Sequence, residues 1–149
     1  MKKFNFKLDS VFTVRRYHKN QAAYALAAAQ KQRLLLMEQL NQAAQSRTEI
    51  EDDLLSCYQT PSLAAEIIRR QDALTYQRHQ VEDIEKKLQE ALNHEDKCRE
   101  IVLLARQGEE TILKLLEKEK ERYRHEQDRE DELAVVEFIN ARHHLSNVS

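Results

Sequence analysis

The chain has 149 residues with one Gly, one Pro and no Trp, and 34% of it is charged. That supply of turn formers excludes a multi-stranded fold, whereas an Ala, Glu, Lys, Leu, Arg and Gln-rich composition is that of long helices. The net charge of −2 offers no global attraction to nucleic acid or an anionic membrane, but residues 1–40 carry a net of +6 (eight basic, two acidic) and the other 109 a net of −8 (sixteen basic, twenty-four acidic).

The chain opens on Met1-Lys2-Lys3-Phe4-Asn5-Phe6, where Phe4 and Phe6 alternate with Asn5. Residues 1–7 read as an extended or loosely ordered lead, with no apolar stretch after the lysines that would make a signal peptide. Asp9 or Ser10 is placed to cap a first helix over about residues 9–58. One heptad register runs through it: Leu8, Phe12, Arg15, Lys19, Ala22, Leu26, Ala29, Arg33, Leu36, Leu40, Ala43, Arg47, Ile50, Leu54 and Cys57. Basic and small residues make it the weaker of the two seams in the chain, since Ala contributes little apolar area.

Residues 56–62 punctuate the chain. Thr60 is a good N-cap residue and Pro61 suits the first position of a second helix, over about residues 61–142, so the turn falls at about 58–61. The second helix carries the strong seam: Leu63, Ile67, Arg70, Leu74, Gln77, Val81, Ile84, Leu88, Ala91, Glu95, Cys98, Val102, Ala105, Glu109, Ile112 and Leu116. All but Arg70, Gln77, Glu95 and Glu109 are apolar, at the 4-3 spacing of a coiled coil. A fold-back at the proline sets residue i against roughly residue 121 − i. Leu40 then meets Val81 and Arg33 lies near Leu88, its charge sent outward, for instance toward Glu85. The first helix is used up near residue 113, and the second overhangs beyond it.

Gly108 stands at the start of the overhang, either as a bend or as a tolerated glycine costing about 1 kcal/mol in a helix. Glu117 to Glu132 reads as solvated helix held by pairs three and four residues apart. The apolar pattern then returns in Leu133, Val135, Val136, Phe138 and Ile139, an end-packing or contact surface. The reading is a single all-α domain over 1–149: an elongated antiparallel two-helix coiled-coil hairpin with an overhanging C-terminal part of helix two.

With Gly108 its only glycine, the chain cannot build a P-loop or a Rossmann turn, and no Gly-x-Ser-x-Gly occurs. Catalytic groups on an open helix surface would not exclude water, so no enzyme activity and no cofactor are expected. His94 and Cys98 share a helical face, but two ligands do not make a zinc site, and Cys98 reads as a buried thiol. Cys57 and Cys98 lie too far apart along the hairpin to bridge. His143-His144 reads as a frayed tail. The basic, aromatic stretch Arg15-Arg16-Tyr17 with Lys19 and Tyr24 resembles a stacking surface for nucleic acid, yet scattered Tyr more often packs on a neighbour, and no nucleic-acid partner is expected. No run spans a bilayer, and two cysteines imply no disulfide framework; the expectation is a reduced, cytoplasmic protein.

Phe4-x-Phe6-x-Leu8-Asp9-x-Val11-Phe12 followed by Arg15, and Asp131-Glu132-x-Ala134 near the end, resemble the FliJ family of the flagellar type III export apparatus. The resemblance implies an antiparallel coiled coil similar to the central stalk of rotary ATPases. It implies association with the hexameric export ATPase and its regulator, with the cytoplasmic part of the export gate and with export chaperones, and hence a place peripheral to the inner membrane through those partners. It implies no active site. The family contacts the gate through exposed apolar and aromatic residues in mid-hairpin; here the middle of helix one, around Ala43-Ala44, lacks them, and Tyr58 and Tyr76 are the nearest large rings. The ATPase end is expected at Phe4, Phe6, Leu8, Phe12, Leu133, Val136, Phe138 and Ile139. The alternatives are the equivalent stalk of a virulence secretion system and a self-associating coiled-coil scaffold or chaperone.

Overall fold

A computed structural model describes residues 3–148. Residues 1, 2 and 149, which the sequence reading includes in the lead and in the domain bounds, lie outside the described residues. The fold is all-α: α1 spans Asp9–Gln59 and α2 spans Ala64–Asn147, packed on one another as a two-helix hairpin. Contacts group the chain into two compact units, Asn20–Leu103 and Met1–Lys19 with Leu104–Ser149.

Within Asn20–Leu103, α1 contributes small residues to the core and α2 larger ones. Ala22, Ala29, Leu36, Ala43 and Cys57 are buried on α1, and Leu74, Val81, Cys98 and Val102 on α2. The alanines admit a close helix approach, while each fully buried Leu or Val adds about 1.5–3 kcal/mol. From Ile67 to Leu116 every seam position of α2 is buried or half-buried, and so is every α1 position from Ala22 to Cys57, whereas Leu8 and Arg15, earlier in the α1 register, are exposed. Leu63 alone fails on α2, being 72% exposed, because it precedes the helix.

The reversal differs from the expected one. Thr60 closes α1 rather than capping α2: its N–H and its hydroxyl both donate to the Ser56 carbonyl, at 3.2 and 2.9 Å. With that hydroxyl turned back onto α1, Pro61 lies in the connection and α2 begins three residues later. Its first carbonyl acceptor is that of Leu63, taken by the N–H groups of Glu66 and Ile67. At its far end α2 continues to Asn147, beyond the expected 142, and Ser146 Oγ donates to the His143 carbonyl. His143 and His144 are therefore helical rather than frayed.

Arg33 turns inward, not toward Glu85. Its Nε meets Oε2 of Glu95, and Arg99 reaches the other carboxylate oxygen, while Glu95 is only 1% exposed. Side chains on a helix lean toward its N-terminus. In an antiparallel pair Arg33 and Glu95 lean toward each other, so the arginine meets a residue one heptad beyond Leu88.

In the unit Met1–Lys19 with Leu104–Ser149, Lys19 Nζ lies 2.7 Å from Glu109 Oε2. That oxygen is buried without an aligned hydrogen bond, so the contact is an ion pair by proximity. α2 runs through Gly108 without a break and with no positive φ. The space a Cβ would fill is taken by the guanidinium of Arg15, 2.8 Å away. Because that neighbour is the end of a flexible side chain, Gly108→Ala is expected to gain about 1 kcal/mol from helix propensity, less the small cost of moving Arg15. Thermal denaturation should show a midpoint about 2–4 °C higher.

Candidate partner-binding surfaces

The N-terminal lead is not loose. Residues 3–6 are irregular, Lys7 and Leu8 form a turn, and the Asp9 N–H donates to the Phe6 carbonyl at 3.2 Å. Phe6 is 8% exposed, and Phe4 meets Tyr123 edge-on, with ring centres 5.4 Å apart and planes at 61°. A groove of about 610 Å³ runs between the lead and α2, with Lys3 and Lys7 on one wall and Glu119, Glu126 and Glu130 on the other. Phe12 is half-buried and Leu8 is 37% exposed. The lead thereby covers part of the charged stretch expected to be solvated: Tyr123 and Gln127 are half-buried.

The eight residues expected at the ATPase end thus separate into two groups. Phe4, Phe6 and Phe12 are engaged within the chain, with Leu8 beside them. Leu133, Val136, Phe138 and Ile139 are 60, 51, 67 and 53% exposed. Every residue from 128 to 148 is exposed. From Leu133 to Ile139 only Glu137 is polar, and at about 100° per residue these side chains surround the helix. A helix apolar on every side belongs in an enclosing environment.

Phe6 carries most of the docking of the lead. Phe6→Ala is expected to cost about 2 kcal/mol, less than a full core Phe because the lead can detach alone. Helicity should persist, while trypsin cleavage after Lys7 accelerates roughly 30-fold.

In the unit Asn20–Leu103, Tyr58 and Tyr76 are 58 and 65% exposed, and the Tyr58 hydroxyl accepts a hydrogen bond from Gln71 Nε2 at 2.8 Å. The sequence reading missed Leu34, Leu35 and Met37, which are 58, 50 and 43% exposed. Their signal was present as a leucine run wider than one seam position needs. Cys98 is buried, with its Sγ 3.7 Å from His94 Nε2, and both cysteines are free. Among the described residues no group of three or more His, Cys, Asp or Glu is arranged to hold a metal, and no helix is long and apolar enough to cross a membrane.

The model of the family described as flagellar FliJ protein matches residues 4–147, nearly the whole chain. The chain belongs to the FliJ family. Like other FliJ-family members it is a coiled-coil protein associated with flagellar type III export. No curated protein and no solved structure matches this FliJ-family chain.

Proposed function

We propose that this FliJ-family chain is a non-enzymatic stalk that couples the hexameric export ATPase and its regulator to the cytoplasmic part of the export gate, and that it also engages export chaperones. The observation that carries the reading is the exposed and, but for Glu137, apolar circumference at 133–139. A projecting surface of that kind suits the bore of a ring better than a flat dock, since a flat dock would cover one side only. Leu133, Val136, Phe138 and Ile139 make the ring contact, while Phe4, Phe6, Leu8 and Phe12 brace the base of the tip. Tyr58 and Tyr76 are the ring-bearing residues offered to the gate. Its place at the inner membrane comes through these partners.

Deletion of residues 133–149 should abolish stimulation of the purified export ATPase while leaving the circular dichroism helical. Undiminished stimulation would remove the tip from the mechanism.

A further inference from the structure

The face of α1 that points away from α2 carries a second register. In the unit Asn20–Leu103 the core positions of α1 run Ala22, Leu26, Ala29, Arg33 and Leu36. Moving each by two gives Tyr24, Ala28, Lys31, Leu35 and Glu38, all exposed. Two residues rotate a helix by about 200°, so this second set lies opposite the core. Tyr24 is 73% exposed, and Leu34 and Leu35 sit with Ala28, Lys31 and Glu38 along a groove of about 380 Å³.

The charge pattern of this face is unusual for the chain. Between residues 20 and 37 the only charged side chains are Lys31 and Arg33, and Arg33 is spent on Glu95. Lys31 and Glu38 make no ion pair among the described residues. Lys31 stands three positions before Leu34, and Glu38 three positions after Leu35. That arrangement is its own complement under a twofold axis between the two leucines. An antiparallel second copy would set Leu34 against Leu35 and Lys31 against Glu38, twice over. A parallel copy in register would instead oppose lysine to lysine and glutamate to glutamate.

The geometry points to a reversible antiparallel dimer of this chain through the outward face of α1 centred between Leu34 and Leu35. The contact is isologous, as closed twofold contacts are. A few turns of one helix per copy form a small interface, at the low end of specific contacts, so the dimer is weak and concentration-dependent. It uses neither the tip nor the lead and stands independently of the stalk reading.

Sedimentation velocity on the full chain, from about 5 to about 500 µM, spans the range where such a contact populates. The expected result is a monomer–dimer equilibrium. Lys31→Glu should weaken it at least about tenfold and Glu38→Lys likewise, since each places like charges face to face. The double swap, Lys31→Glu with Glu38→Lys, should restore it, and Leu35→Asp should abolish it with helicity intact. The same series in a chain carrying Phe138→Asp and Ile139→Asp should behave identically, which separates this face from the tip. A monomer at every concentration would overturn the proposal. So would a dimer indifferent to the single swaps, or single swaps that the double does not rescue.

Discussion

Glu95→Ala should destabilise the hairpin by about 2–4 kcal/mol, the largest effect expected from any single polar substitution in the chain. Glu95 is the only buried polar or charged residue among the described residues, and it holds two guanidinium groups. The two arginines contribute unequally. The Arg33 side chain is 24% exposed and loses its counter-charge inside the seam, whereas Arg99 is 55% exposed and recovers most of its hydration. The estimate therefore lies below the figure for a wholly buried pair. Urea denaturation followed by circular dichroism would show a lower midpoint with an unchanged slope. Glu85→Ala, at an exposed position on the same helix, should stay within about 0.5 kcal/mol of the parent. Equal effects from the two substitutions would deny Glu95 its special role. Replacing both partners, Arg33→Leu with Glu95→Leu, should restore stability or exceed it, because a packed apolar pair avoids the desolvation cost. The expected loss is in register: one buried polar pair in a seam fixes alignment that leucines leave free to slide. Spin labels at the exposed positions Asn41 and Glu82 would then report a broadened distance distribution.

At the tip, the second large effect falls on binding and spares folding. Phe138→Asp with Ile139→Asp should leave stability within about 0.5 kcal/mol of the parent, because both side chains are already in water and touch no core. Affinity for the purified export ATPase should fall by more than about tenfold for Phe138→Asp alone, the usual scale for an aromatic anchor in a desolvated pocket. Calorimetric titration against the ATPase, beside a urea melt of the same variant, reads both quantities. Unchanged affinity would sever the tip from the ATPase. A large loss of stability would mean that the tip packs within the chain after all.

The long seams were legible in the sequence because a heptad repeat needs only spacing and polarity to be read. From Ile67 to Leu116 the register marked α2 positions that are all buried or half-buried, including Arg70, Gln77, Glu95 and Glu109, which are not apolar. Four features were not legible. Thr60-Pro61 has the chemistry of a helix start, yet the Thr60 hydroxyl satisfies Ser56, and that choice depends on how α1 ends. The partner of Arg33 was missed because straight-across pairing ignores the lean of both side chains toward their own N-termini. The sequence places Phe4 and Phe6 at the ATPase end of an extended or loose lead, but a short irregular lead can follow α2 for as far as it finds Tyr123 to pack on, and no periodicity records that reach. The outward face at Leu34 and Leu35 escaped because attention to one register hides a second one displaced by two.

The bare apolar girdle at 133–139 also bears on the lifetime of the molecule in the cell. Exposed Phe, Ile, Leu and Val of this kind are what holdases and degradative proteases recognise, so copies made in excess of their assembly sites should be cleared faster than occupied ones. Cellular abundance would then follow the number of export machines rather than the rate of synthesis.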